Sequence, residues 1–365
     1  MRVLLSILCV AAAARASSVT DELSASNSQS TPSAPRSGTV SDSLNATIDL
    51  GESWTLNLGA LVMHEDPTPM PAPISFKNFT NDPFEVFNAG ADFMPNDHWT
   101  IGFGGEFSPK STQSAVPDDP AARNPTTAKL TPVYLLVNST NSEWGARLDV
   151  EYDTAGDSSL EWSISGAVQF SANSLDQNIP GIRFDNLDGT YTAYSLKQLN
   201  ADCTARPADC PLVVRRALRQ AAATGTAPLD VEKLSLSATA TIDTDTDLTL
   251  SGDYYLYDQD PTQISPFGAR LQQTLGNGLT LAPLQYLVRP EVLHRWGGFS
   301  ARLYLQAGEY VAGMGESTVG LGLKLQYKFS KAFRMWATFS GQRDVDVDGT
   351  ESDSGSLALG AGYRF

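Results

Sequence analysis

The chain has 365 residues, of which 41% are hydrophobic and only 18% charged, and its 41 acidic side chains against 25 basic ones give a formal net charge of −16. An acid excess of this size excludes nucleic acid as a natural partner, since the total cannot neutralise phosphates.

Residues 1–16 read as a secretory signal peptide: Arg2 precedes an apolar run from Val3 to Ala14, and Ala14-Arg15-Ala16 is a small-x-small cleavage site. The run is well short of the roughly 20 residues a helix needs to span a bilayer. Its removal takes away Cys9, Arg2 and Arg15 and leaves 23 basic against 41 acidic side chains, a net −18. Residues 17–44 are Ser- and Thr-rich with almost no aromatics. Such a segment buries too little apolar surface to offset its ordering entropy, and a disordered leader is expected there.

From residue 45 the chain becomes a series of segments about ten residues long that alternate in hydrophobicity between turn-formers, the pattern of transmembrane strands. In the first half these include Trp54-Leu56-Leu58-Ala60-Val62, Trp99-Ile101-Phe103, Trp144-Ala146-Leu148-Val150-Tyr152 and Leu160-Trp162-Ile164-Gly166-Val168-Phe170. In the second half, Leu234-Leu236-Ala238-Ala240-Ile242, Phe299-Ala301-Leu303-Leu305-Ala307, Val319-Leu321-Leu323-Leu325-Tyr327-Phe329 and Phe333-Met335-Ala337-Phe339 are clearer still. Strands are predicted over 50–62, 84–94, 99–108, 128–138, 143–153, 159–170, 234–244, 247–257, 266–275, 279–289, 298–308, 317–329, 333–342 and 354–365. That makes about 14, within a range of 12–16, with a bend at Pro283 where the alternation changes phase. Aromatics gather at the segment ends, as membrane interfaces favour.

Residues 171–233 break the pattern. They carry Cys203 and Cys210, and an even pair in an exported chain predicts a disulfide rather than a metal site. Pro211, the helix formers that follow and Gly225 are helix start and stop signals, and this helix presents Arg215, Arg216 and Arg219. Leu212, Val213, Val214 and Leu218 need apolar cover, so the insertion either hangs below the strands or folds in among them as a plug.

Asp344, Asp346 and Asp348 with Gly349 match the first half of a calcium-binding loop, but the twelfth position is Gly355 instead of a bidentate Glu. They form a weak calcium candidate; no metal or cofactor is otherwise expected. His64, His98 and His294 lie in no Ser-His-acid order, and only His64-Glu65-Asp66 falls at the expected outer rim, so an enzyme is not predicted.

The last segment, Ser354 to Phe365, alternates Leu357, Leu359, Ala361, Tyr363 and Phe365 against Ser356, Ala358, Gly360, Gly362 and Arg364. An apolar alternating strand ending in aromatic-x-Phe resembles the C-terminal signature of Gram-negative outer-membrane β-barrels, which the barrel assembly machinery reads. The resemblance implies an all-β, antiparallel up-and-down transmembrane barrel over 45–365, porin-like, in the outer membrane of a Gram-negative bacterium. It also implies contact with membrane lipid and lipopolysaccharide. The terminal strand would close against one starting near Trp54. Short turns at 95–98, 139–142 and 330–332 would be periplasmic, longer connections at 63–83, 109–127, 309–316 and 343–353 external, and the insertion would leave from the periplasmic end. No N-terminal hatch like that of the fourteen-stranded fatty-acid transporters is visible, so a hydrophobic cargo is not implied.

Positions opposite the oily phases then line a pore. The later wall offers Arg270, Arg302, Lys324, Lys328 and Arg334, with Arg364; the earlier wall offers Glu106, Arg147, Asp149, Glu151 and Glu161. A basic and an acidic wall facing one another would tune selectivity in a channel for small polar solutes, with a preference for anions. The same charges could instead form luminal salt bridges in a plugged barrel whose acidic loops bind ions, lipopolysaccharide or a protein partner.

Overall fold

Alternation of this kind leaves each strand one oily and one polar face, and a sheet with unpaired edges cannot sit in lipid, so the sheet has to close on itself. The computed structural model describes residues 18–29, 37–65, 82–115, 122–124, 131–154, 161–185, 191–210, 212, 214–215, 218–219, 226–261, 284–312, 315–345, 347, 349 and 351–364. Within them, strands β1 (Ser18–Gln29), β2 (Ser37–Asp49), β3 (Trp54–Glu65), β4 (Phe84–Asn96), β5 (Trp99–Ala115), β6 (Ala122–Asn124), β7 (Thr131–Asp153), β8 (Glu161–Asp185) and β9 (Tyr191–Ser195) are followed by helix α1 (Leu196–Ala205). Then come β10 (Thr226–Asp243), β11 (Thr246–Tyr257), β12 (Leu284–Trp296), β13 (Phe299–Tyr310), β14 (Ser317–Lys328), β15 (Phe333–Val345) and β16 (Glu351–Arg364). All but β6 and β9 join one ring of 14 antiparallel strands, closed where β1 pairs with β16 and where β7 pairs with β8. The short β6 and β9 lie beside the far ends of β7 and β8. No helix of the described residues is long and apolar enough to cross a membrane.

The ring has two unlike ends. At one, turns such as 97–98, 244–245 and 297–298 are tight; Gly297, at φ 59°, supplies the left-handed conformation that a two-residue hairpin turn demands. At the other end the connections are longer, and β7 and β8 run on together past the wall: Val133 still pairs with Phe184, far beyond the Trp144–Ala172 rung.

Outward positions carry the apolar belt. Leu236 is 69% exposed, and Leu148, Ile164, Val168, Leu250, Leu303, Leu305, Leu321, Phe339 and Leu359 are exposed likewise. Exposed to water, such a surface would cost ~25 cal/mol per Å2 of apolar area; in lipid that cost is absent. Aromatic rings edge the belt at the tight-turn end, Trp54 against Phe93 at 4.8 Å, Trp99 against Tyr152 at 4.9 Å, Tyr152 against Trp162 at 5.6 Å, and on the other side Trp296 against Phe299 and Phe329 against Phe333, both at 5.6 Å. Trp144 and Phe170, 5.4 Å apart, mark the opposite edge. Trp144 and Tyr152 share a strand and lie ~27 Å apart at ~3.4 Å per residue. With the usual tilt of ~40° that spans most of the ~25 Å apolar band of such barrels.

The fold corrects several sequence expectations. The stretch expected as a disordered leader, 17–44, contains β1 and most of β2. Their outward residues are modest (Val19, Leu23, Val40, Leu44), but hydrogen bonding on both edges repays ordering in a closed sheet, where a soluble segment would have needed a core. The terminal strand therefore closes against β1 and not against the strand at Trp54. The predicted strands 128–138 and 143–153 are one strand, β7. Its polar stretch Ser139 to Ser142 is no turn; it pairs with β5 on one side and β8 on the other. Losing that turn reverses the parity, so the insertion leaves from the long-connection end, and with β8 reaching Asp185 and β10 starting at Thr226 it is shorter than 171–233. Residues 1–16, the predicted strand 266–275 and Pro283 lie outside the described residues. Pro290, inside β12, interrupts the pairing with β13 between Val288 and Glu291, as a residue without an N–H must.

Candidate functional site in the lumen

The strand period that turns Leu303, Leu321, Phe339 and Leu359 outward turns Arg302, Lys324, Trp336 and Gly360 inward, and the inner face is accordingly polar. Fourteen strands enclose far more than the roughly eight at which wall side chains alone fill a barrel.

Large inward side chains lie along the wall, over glycines of the next strand. Tyr304 covers Gly322 and Trp336 covers Gly360, with Cβ atoms at those glycines falling 2.1 Å and 2.2 Å from ring carbons. Gln306 crosses β14 at Gly320 to reach Gln342 on β15, its Nε2 donating to Oε1 at 3.2 Å. Arg289 stacks on Tyr304 at 4.4 Å and donates from Nη2 to Gln306 Oε1 at 2.9 Å. Gln342 and the Tyr310 hydroxyl, the latter at 2.7 Å, both donate to Asp344. On the far side Asp149 lies over Gly102 and Glu106 over Gly145. Glu106 accepts from Gln169 at 2.6 Å and Ser171 at 3.3 Å.

The two charged walls are opposed. Going round the ring, β7 and β15 are seven strands apart in either direction, so Arg147, Asp149 and Glu151, with Glu106 on β5 and Glu161 on β8, stand across the lumen from Lys324, Lys328 and Arg334. Charges also pair within each wall: Arg302 with Glu291 at 3.3 Å, Lys324 with Glu22 at 4.0 Å, Lys233 with Asp253 at 3.4 Å, Arg147 with Asp149 at 3.1 Å, and Arg295 with Asp247. Arg289, Arg295 and Glu22 were not singled out from the sequence. Arg289 and Arg295 lie past the expected end of the strand 279–289 or at its limit, and Glu22 fell in the supposed leader. Arg270 lies outside the described residues.

Among the described residues of the insertion, α1 packs against β8 and β9. Cys203 and Cys210 form the expected disulfide, with Cα atoms 4.9 Å apart. Arg215 fastens this loop by donating to the Cys210 carbonyl at 3.1 Å and the Pro207 carbonyl at 2.7 Å. Leu212, Val214, Leu218 and Arg219 are helical, Val214 buried and Leu212 open; Arg216 lies outside the described residues. The calcium candidate keeps only Asp344 within the described residues, already engaged by Tyr310 and Gln342, and no group of three metal-ligating side chains occurs among them. His98 contacts the Asp153 carbonyl, His294 contacts the Thr246 hydroxyl, which itself donates to Asp243 at 3.1 Å, and His64 pairs across the outer face with Val40.

Closure without an edge, the outward apolar belt with its aromatic rims and the polar interior decide the fold. The chain has the outer-membrane β-barrel fold. It is similar to the Ralstonia pickettii toluene transporter TbuX, with a TM-score of 0.51 over 95% of this chain and 89% of that one, at 8% identity. Weaker likenesses are to the Pseudomonas putida toluene transporter TodX, at a TM-score of 0.48 and 9% identity over 95% and 89% of the two chains, and to the KdgM porin, at 0.36 and 8% over 95% and 99%. No family model and no curated protein sequence matches this barrel.

Proposed function

We propose that this barrel is an outer-membrane channel for passive diffusion of small polar solutes, with a preference for anions. The observation that carries the reading is the disposition of the inner wall: its bulkiest side chains are laid flat over glycines instead of being pointed across the lumen. A shell meant only to be filled would gain from projecting side chains, since packed interiors are dense. Opposed charged walls give solutes a transverse field to pass through, and the excess of basic side chains on β12–β16 sets the sign of the preference. In the orientation usual for such barrels the tight turns face the periplasm and the long connections the exterior.

The reading is tested by reconstituting refolded protein in planar bilayers: ohmic steps, with a reversal potential favouring chloride in a potassium chloride gradient, are expected. Silence, both with the insertion present and with 186–225 removed, would sink it. A second reading, a surface-interaction barrel, rests on the β7–β8 extension, at whose end the disulfide-closed insertion is carried. Retention of conductance after removal of 186–225, with loss of binding to lipopolysaccharide or a protein partner, would support it alongside the first.

A further inference from the structure

Among the inward cations of β14, β15 and β16, three have no carboxylate partner within the described residues: Lys328, Arg334 and Arg364. They occupy the tight-turn rim of three neighbouring strands. Lys328, the last residue of β14, pairs directly with Arg334 of β15; Arg334 pairs with Gly362, and Arg364 stands two residues further along β16, beside Ser18. Paired inward side chains lie ~5 Å apart at Cβ and diagonal ones ~7–8 Å apart, so the three heads share one small region of wall. Three like charges this close repel one another, and such an arrangement persists in a wall only with a compensating benefit.

The wall below them is built to hold the charges. Arg334 lies across Gly362, where a Cβ would fall 2.9 Å from its Nε. Trp336, seated over Gly360, carries Lys324 Nζ 4.7 Å above its ring and the Arg334 guanidinium 5.8 Å away. A cation over an indole face is held without losing its charge. The indole N–H donates to Glu22, which also balances Lys324 at 4.0 Å. Glu22 is thus the acid facing the group from β1, and Glu291, on β12, is engaged by Arg302. Four cations against one shared carboxylate leave an excess of three positive charges at the mouth.

We propose that Lys324, Lys328, Arg334 and Arg364 form a binding site for solutes bearing two or more carboxylate or phosphate groups, at the tight-turn mouth of the lumen. A single chloride balances only a third of the excess. A multivalent anion engages the guanidinium forks and ammonium groups together, and its separate groups span neighbouring strands. The channel reading supplies the path to the site, but binding itself does not depend on that reading.

The experiment uses citrate as probe on the refolded barrel, by equilibrium dialysis of labelled citrate in detergent and by interruption of the potassium chloride current in bilayers. Citrate is expected to bind, and to interrupt the current, at concentrations at which added chloride does neither. The double variant K328Q/R334Q weakens both by roughly tenfold or more, the worth of a lost charge-assisted contact. Arg343→Gln, an outward change at the long-connection end, leaves both as they were. Equal binding by the wild type and K328Q/R334Q, or displacement of citrate by an equal charge concentration of chloride, overturns the site. Citrate binding by a barrel that passes no current upholds the site and rejects the channel; current without citrate binding does the reverse.

Discussion

The ring of Tyr304 lies over Gly322 so closely that a methyl group at position 322 would fall 2.1 Å from its Cζ atom. Since the same ring carries Arg289, one glycine on β14 fixes the place of an aromatic on β13 and a cation on β12. Gly322→Val drives Tyr304 off the wall into the lumen and unseats Arg289. Single-channel conductance is expected to fall, and stability to drop by ~1–3 kcal/mol, the usual cost of forcing a group into a filled space. Bilayer recording and urea unfolding in detergent check this; unchanged conductance would mean that Tyr304 does not limit the path.

Leu236 and Ser237 are adjacent, yet one faces lipid and the other the lumen. Leu236→Arg is expected to destabilise the barrel by ~2–4 kcal/mol, as arginine does near the bilayer midplane, and Ser237→Arg by far less. Ser237→Arg should instead shift ion selectivity toward anions. Equal destabilisation by the two would contradict the assigned faces.

Neutralising the acidic wall with E106Q/E151Q/E161Q removes three charges opposite the basic strands. The chloride-to-potassium permeability ratio is expected to rise, and to rise more at 0.1 M salt, where the screening length is ~10 Å, than at 1 M, where it is ~3 Å. Reversal potentials measured at both concentrations decide it. Glu106→Gln also leaves Gln169 facing an amide in place of a carboxylate, so a small loss of stability accompanies the change.

Cys203 and Cys210 close a loop on the extension beyond the apolar belt. Cys203→Ser is expected to leave heat-modifiable gel migration of the barrel intact while exposing residues near 196–210 to protease. Loss of the folded gel form would show that the insertion is needed for closure.

Much of this architecture could be read from residue patterns, and the reasons are local. Where oily and polar residues alternate strongly, as from Val319 to Tyr327 or from Phe333 to Phe339, strand, face and belt were all legible. Where the outward side chains are small or polar, as at Asp21 and Ala25 in β1, nothing in the pattern separates a barrel strand from a polar leader. What orders β1 is its ladder to β2 and β16, residues distant in sequence. The polar run in β7 misled for the opposite reason: beyond the lipid belt a strand may be wet on both faces, and Asn138 to Ser142 has the composition of a turn. The inward cations followed from the period. Their anchoring did not, because Trp336 over Gly360 or Tyr304 over Gly322 joins residues of different strands by register alone.

Closure of the ring by Ser18 against Arg364 also governs how the barrel can be made. Among the described strands β1 comes first in the chain, yet one of its edges is completed last, since its partner β16 is synthesised after all the others. Until then β1 and the growing edge both present bare backbone, the condition that invites pairing with other chains. Contacts this distant are slow to form. Assembly should therefore stall as a unit when β16 is damaged, with no partly built pore, and a chain lacking only its last strand should aggregate or be degraded and leave no smaller channel behind.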